Sequence, residues 1–313
     1  MTSVKDRPGM PTVVQVGRYE IADRFTVVPP GDRTQVLEIW CPVIPDTPHQ
    51  RVVNIEVRGE QPYELTREFE FGNIMLHNRR VNPRTETTLE IRYTVERQQS
   101  GGLMVDASAA RPLASPMLFM RSLTAERHVD VDQRTRALAA ELAVDLTGTV
   151  EIARRFYDHV TGTMSYDADQ QSFLGSTDHA LTCSVGNCND IHALFVSLCR
   201  SAGIPARFIM GQALEPLDSE TEDCEVCGYH CWAEFYVAGI GWLPADASCA
   251  TKYGTHGLFG GLEINHVAWS VGRDLLLAPP QRAGRSLFFA GPYAEADGQP
   301  HHVERRLEFT TLS

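Results

Sequence analysis

Three short segments carry residue types suited to covalent acyl chemistry: Gly186-Asn187-Cys188-Asn189-Asp190, Tyr229-His230-Cys231-Trp232-Ala233-Glu234 and Leu243-Pro244-Ala245-Asp246-Ala247-Ser248. A thiol attacks carbonyl carbon as its thiolate, and an imidazole shuttles protons near neutral pH. A carboxylate behind the imidazole fixes its tautomer and steadies the imidazolium. Cys188, His230 and Asp246 therefore read as nucleophile, base and orienting group. Taken alone, the cysteine has a plainer reading as a small buried hydrophobe and the histidine as a satisfied core residue. Their order, and the elements they sit on, favour the chemical one.

The positioning elements follow from periodicity. Ile191, Leu194, Phe195 and Leu198 fall at i, i+3, i+4 and i+7, so a helix with a buried stripe begins close to Cys188 and ends at Gly203 and Pro205. Unpaired N–H groups and the positive end of the helix dipole then favour the thiolate and can hold a developing oxyanion. Gly186 is expected to give the backbone freedom for a sharp turn into that helix. Residues 207–211, 231–237 and 241–245 read as strands. A tight connection at Gly239-Ile240-Gly241 would bring His230 and Asp246 towards neighbouring strand ends.

Around this centre the first hundred residues alternate apolar and polar. Leu37, Ile39 and Cys41 share one face, and Val53, Ile55 and Val57 are expected on the inward face of another strand. Tyr63, Leu65, Phe69 and Phe71 repeat the pattern. Leu89, Ile91, Tyr93 and Val95 point inward, with Glu90, Arg92, Thr94 and Glu96 outward. Strands without an intervening helix predict an antiparallel β-sandwich. Residues 98–116 read as a linker or strap. Asp132 or Thr135 caps a helix through Leu142, and Thr149 caps one carrying Ile152, Phe156 and Val160. Val303, Arg305, Leu307 and Phe309 alternate as a last strand. The fold class is α+β, divided as 1–100 (β-sandwich), 101–280 (catalytic core with its leading linker) and 281–313 (C-terminal strand packing back on the body).

Composition narrows the partners. The chain has 313 residues, 43% hydrophobic and 22% charged, with a net charge of −12. That balance argues against nucleic acid or an anionic membrane surface. No run approaches the roughly 20 apolar residues of a membrane span, and residues 1–17 lack the apolar core of a signal peptide. All of the eight cysteines but Cys41 lie between Cys183 and Cys249, unlike a disulfide-stapled secreted domain. Cytoplasmic residence and a protein or peptide substrate are expected. Oligomeric state is left open.

The stretch Gly186-x-Cys188-x-Asp190-x-x-Ala193-Leu194-Phe195-x-x-Leu198-x-Arg200-x-x-Gly203-Ile204-Pro205-Ala206-Arg207-x-x-x-Gly211 resembles the core motif of the transglutaminase-like superfamily. Residues 230–237 and 242–248 resemble its other two motifs. Fainter similarity runs from Trp269 to Phe309, where Gly272-Arg273-Asp274 and Pro279-Pro280-Gln281-Arg282 resemble bacterial members described as transglutaminase-like cysteine proteases. The resemblance implies a papain-like core of helices packed on an antiparallel sheet, with Cys188 as nucleophile, His230 as base and acid, and Asp246 as orienter. Animal cross-linking members carry a Trp directly after the nucleophile, where this chain has Asn189, and their calcium-binding segments are not recognisable here. Both departures favour hydrolysis.

Other residues carry weaker expectations. Gln170, Gln171, Asn187 and Trp232 are candidates for oxyanion or cleft contacts. Cys224-x-x-Cys227 with Cys231, and Cys183 or Cys249 as a fourth ligand, could form a structural zinc knuckle, but a matching second pair is absent and no cofactor is expected. Glu215, Asp218, Glu220, Glu222, Asp223 and Glu225 form an acidic run, read as a solvated loop or a lid. His192, one turn after Cys188, reads as a helix-surface histidine near the core, and Asp190 as support for the helix start. Trp232 and Trp242 bracket the two active strands as cleft walls or core. The leading function is a thiol hydrolase of peptide or amide bonds. Amine acyl transfer to glutamine side chains (transglutaminase or deamidase) and a non-catalytic protein-binding module are the alternatives.

Overall fold

The computed structural model describes residues 15–59, 62–100, 116–214, 224–225, 228–255 and 257–312, with 116, 224 and 225 described by backbone alone. Six strands come first: β1 (Val16–Val27), β2 (Val36–Pro42), β3 (Gln50–Gly59), β4 (Glu64–Arg67), β5 (Ile74–Val81) and β6 (Thr87–Gln98). Helices α1 (Met120–Leu123), α2 (Gln133–Leu142), α3 (Thr149–Thr163), α4 (Thr177–Cys183) and α5 (Cys188–Ser201) follow, interleaved with the two-residue strands β7 (Ser165–Tyr166) and β8 (Val185–Gly186). Then come β9 (Ala206–Ala213), β10 (Cys224–Glu225), β11 (His230–Val237), β12 (Gly241–Ala245), α6 (Ala247–Tyr253), β13 (His266–Val271), β14 (Tyr293–Ala296), β15 (Gln299–His301) and β16 (Glu304–Leu312). Most of residues 98–116, and most of the acidic run, lie outside the described residues.

Two five-stranded antiparallel sheets, β10-β16-β1-β6-β3 and β15-β14-β2-β5-β4, face each other. Their inward residues, including Ile21, Phe25, Leu37, Ile39, Ile91, Tyr93, Leu307 and Phe309, form one buried core. Outside it, Arg24 bridges Glu90 at 2.8 Å and Glu308 at 2.5 Å. Exposed pairs of this kind contribute about 0–1 kcal/mol each, so apolar burial holds the sandwich together.

Two strand expectations need correcting. Val53 and Ile55 are exposed: Val53 is the unpaired residue where the β3–β6 register shifts between Val52 and Asn54, and Ile55, opposite Tyr93, lies on a strand at the edge of the sheet. Val52 packs on the core, and Val57 does so as expected. Phe69 and Phe71 do not continue β4, which ends at Arg67. Glu68, 1% exposed, builds a turn there by accepting the N–H groups of Glu70 (2.6 Å), Phe71 (3.1 Å) and Asn73 (2.7 Å). A carboxylate satisfied by several backbone donors can be buried at little cost.

The four-stranded antiparallel sheet β12-β11-β9-β13 carries α5 on one face. Ile191, Leu194, Phe195 and Leu198 meet Phe208, Cys231, Ala233 and Phe235 in a second core. Every residue from Cys188 to Arg200 is buried, so α5 is a central helix rather than a surface one. The expected cap forms at α2, where Asp132 and Thr135 make a reciprocal box, but Thr149 is the first residue of α3 rather than its cap, since Gly148 holds that position and makes no side-chain cap bond. Strand β13 joins the two halves. Val267 and Trp269 enter the sandwich core. Its backbone is met by side-chain amides: Gln50 pairs both N–H and C=O of Ala268 (2.8 and 3.0 Å), and Asn73 both groups of Val271 (2.7 and 2.8 Å). These amides satisfy backbone groups as a neighbouring strand would.

Candidate active site

Cys188 is the first residue of α5 and is 6% exposed. The Asn187 side chain caps the helix, accepting the N–H groups of Asn189 (2.9 Å) and Asp190 (3.4 Å). Asp190 in turn accepts the Asn187 N–H at 3.4 Å, completing the reciprocal box. It also accepts Ser172 N–H (3.1 Å) and Ser176 N–H (2.9 Å), so one buried carboxylate ties the preceding loop to the helix start. Gly186 serves space rather than backbone freedom: an added Cβ would lie 2.6 Å from the Asp190 Cβ, and its φ is not in the left-handed region. With the Asn189 and Asp190 N–H groups taken by the cap, the Cys188 N–H at the first helical position has no intrahelical acceptor.

His230 opens β11, and Asp246 follows β12 as the N-cap of α6. The register Ala233↔Ala245 brings these ends together, leaving His230 Nε2 2.7 Å from Asp246 Oδ2. The Nδ1 of His230 is then the nitrogen available to sulfur. Asp246 is fully buried and its oxygens are divided. Oδ1 accepts Ser248 Oγ (3.0 Å) and the Cys249 N–H (2.8 Å), while Oδ2 takes His230 and also His266 Nε2 at 3.0 Å. His192 braces the cluster from α5. Its Nδ1 donates to the Cys188 carbonyl at 2.8 Å and its Nε2 accepts the Ala247 N–H at 3.0 Å, which fixes a neutral tautomer. It is buried inside the site, not on a helix surface.

The electrostatics fit an imidazolium–thiolate pair. A hydrogen bond from the Cys231 thiol, opposed by burial and joined by the His230 hydrogen bond and charge, holds the Cys188 thiol well below its ordinary pKa. Burial works against the His230 imidazolium. The Asp246 charge and hydrogen bond, with bonds to Cys188 and Cys249, outweigh it and raise the His230 pKa well above the usual value. Burial also opposes the Asp246 carboxylate, but the His230 charge and hydrogen bond and the His266 hydrogen bond hold it well below the carboxylate range. Burial, then the hydrogen bond to Cys188 and the charge there, push Cys231 well up, so it stays a thiol.

The structure thus brings Cys188, His230 and Asp246 into one chain of contacts. Gln170 Nε2 donates to Asp167 (2.6 Å) and Gln171 Nε2 to the Ala168 carbonyl (2.8 Å), while the Gln171 carbonyl oxygen receives the Asn187 amide. Trp232, 2% exposed, packs beside the rings of His230 (6.0 Å) and His266 (5.4 Å). Gly211 leaves room for that indole, since a Cβ there would sit 2.8 Å from it. Trp242 lies away from this cluster, stacked under Arg207 at 3.9 Å. Asn189 donates to the Tyr229 hydroxyl at 2.9 Å, and its Oδ1 lies 3.3 Å from the Cys231 sulfur. Of the zinc-knuckle candidates, Cys227 lies outside the described residues and Cys224 has only its backbone described; Cys183 is exposed. Sequence reasoning missed His266, Ser248 and Cys249 as partners of Asp246. The Asp-x-Ser-Cys run after β12 was the available signal for a cap, whereas His266 arrives only through sheet pairing.

Residues 136–247, a span that includes Cys188, His230 and Asp246, match the family model described as the transglutaminase-like superfamily. An uncharacterized protein of Haemophilus influenzae is 27% identical over 327 residues, covering 90% of this chain and 86% of that one. A crystal structure from Cytophaga hutchinsonii, provisionally described as a cysteine protease, superposes with a TM-score of 0.61 at 17% identity, over 96% of this chain and 92% of that one. At that identity the likeness is one of fold. The periplasmic domain of TgpA from Pseudomonas aeruginosa gives a TM-score of 0.38 at 15% identity, over 72% of this chain and 93% of that one. Among the described residues no helix is long and apolar enough to cross a membrane.

Proposed function

We propose that the protein is a thiol hydrolase that cleaves peptide or amide bonds through a thioester on Cys188. The observation that carries this reading is the buried 2.7 Å contact between Asp246 and His230, with the far side of that ring turned to a thiol at a helix N-terminus. The Cys188 thiolate attacks the carbonyl carbon, and the oxyanion is met by the Cys188 N–H and the helix dipole. His230 passes its proton to the leaving amine as the carbon–nitrogen bond breaks. It then takes a proton from water, which attacks the thioester and releases the free acid and the Cys188 sulfur.

A cavity of about 350 Å³ lined by Tyr229, Phe288, Pro292, Tyr293 and their neighbours adjoins Asn189 through the Tyr229 hydroxyl. It suits an apolar or aromatic side chain of a peptide substrate. The reaction needs a reduced nucleophile and no cofactor, in keeping with cytoplasmic residence. The test is a peptide-library digest comparing wild type with Cys188→Ala. Cleavage by wild type alone supports hydrolysis. Incorporation of a labelled primary amine in place of free-acid release would convert the reading to acyl transfer, and an inert wild type would leave a binding module.

A further inference from the structure

We propose that His230, Asp246, Cys249 and His266 form a four-ligand site for a zinc-like divalent transition metal, and that filling it removes His230 as the base for Cys188. One donor atom from each of the four lies within 4.8 Å of all the others. The set of two imidazoles, a thiolate and a carboxylate suits Zn²⁺ or Co²⁺ rather than Mg²⁺ or Ca²⁺. It shares no more than Cys249 with the knuckle considered from sequence.

The geometry is close to what a tetrahedral ion requires. Ligand bonds of about 2.0–2.3 Å place donor atoms about 3.3–3.8 Å apart. Cys249 Sγ and His230 Nε2 are already 3.6 Å apart. The contacts from Asp246 Oδ2 to His230 Nε2 (2.7 Å) and to His266 Nε2 (3.0 Å) are hydrogen bonds, which lengthen once their protons leave.

The surroundings are those of a metal site. Ligating carboxylates and imidazoles are normally held by outer hydrogen bonds. Here Oδ1 of Asp246 is occupied by Ser248 and the Cys249 N–H, which leaves Oδ2 aimed at both histidines. His266 Nδ1 lies 2.8 Å from Asn265 Oδ1, the acceptor wanted by a ring bound to metal through Nε2. Cys249 is partly exposed, which gives an ion a way in.

The protons balance. Cys249 loses its thiol proton and the His230 imidazolium its Nε2 proton, so two are released per ion. On His266 the Nε2 proton is exchanged for one on Nδ1, held by Asn265. His230 keeps its Nδ1–H towards Cys188 and can no longer accept a proton from sulfur or water. The inhibitory consequence rests on the hydrolase reading; the binding does not.

The test uses full-length, chelator-treated protein. Co²⁺ added to Cys188→Ala should bind at one equivalent and give a thiolate-to-cobalt charge-transfer band. Cys249→Ser should lose that band, and Cys249→Ser and His266→Gln should each weaken Zn²⁺ at least about tenfold. Wild type alkylated at Cys188 serves in place of Cys188→Ala if that variant misfolds. A band that survives in Cys249→Ser but vanishes in Cys188→Ala, or no band in either, overturns the site. Because the spectral readout needs no turnover, an inactive enzyme that still binds cobalt would refute the hydrolase reading alone. Peptide cleavage untouched by Zn²⁺ would refute the metal switch alone.

Discussion

Asp246→Asn separates the electrostatic role of this carboxylate from its packing. The amide keeps the shape, and its oxygen can still accept Ser248 and the Cys249 N–H at the Oδ1 position. Its NH₂ then occupies the Oδ2 position, facing Nε2 of His230 and His266. His230 must turn an acceptor towards the amide, which puts Nδ1–H against the sulfur and removes the base. The charge centres of the wild-type pair are about 4 Å apart, so at an effective dielectric of about 20 the lost support for the imidazolium is about 4 kcal/mol. That is a factor of about 10³ in the ion-pair population. A thiolate freed of this support is also more nucleophilic, with a sensitivity of about 0.4–0.5, so roughly half the exponent returns. Iodoacetamide alkylation of Cys188 near neutral pH should therefore slow about 30-fold. Peptide turnover, which also needs the proton shuttle, should fall by about 10³–10⁴, as a wrong tautomer does in serine proteases. A folded variant, shown by its circular dichroism and melting curve, that alkylates at the wild-type rate would refute the imidazolium–thiolate argument.

Four further outcomes are expected. In wild type, the low thiol pKa and raised imidazole pKa keep Cys188 ionised below the range where free thiols protonate, so its alkylation should stay fast as pH falls through 7 and 6 while the other thiols stop reacting; a profile like that of free cysteine would contradict it. Cys231→Ala removes the thiol hydrogen bond to the thiolate and should slow alkylation several-fold with little change in melting temperature, read by mass spectrometry of the labelled peptide. Gly186→Ala forces a Cβ against Asp190 and should cost about 1–3 kcal/mol in urea unfolding, with the helix start disturbed; a neutral effect would mean the cap can shift freely. Gln50→Ala strands the buried N–H and C=O of Ala268 and should cost about 2–4 kcal/mol by the same measurement.

What could be read from the residues depended on how local the cause was. Helix α5 was legible because its apolar stripe, its Asn187 cap and the break at Gly203 all lie within one stretch of chain. The meeting of His230 and Asp246 was legible because a short connection joins their strands, which left little choice of register. The bulge in β3 was not, since alternation alone does not say where an extra residue enters an edge strand. Phe69 and Phe71 were misread for a related reason: the Glu68 turn overrides a hydrophobic spacing that looks like a strand. His266 was invisible because its approach to Asp246 depends on β13 pairing with β9, a link across more than fifty residues. Gly186 was singled out for the wrong property, since the crowding by Asp190 exists only after the helix has formed.

The two amides that pair with β13 bear on whether the half that carries Cys188 can be transplanted. Gln50 and Asn73 come from the sandwich half, yet they complete the backbone pairing of the strand that carries His266. A fragment starting at residue 116 would present that strand's rim raw to solvent, together with the Val267 and Trp269 side chains that now sit in the sandwich core. Grafting the thiol-bearing half onto another scaffold would therefore require rebuilding this seam first, or the graft would recruit strands from its own copies.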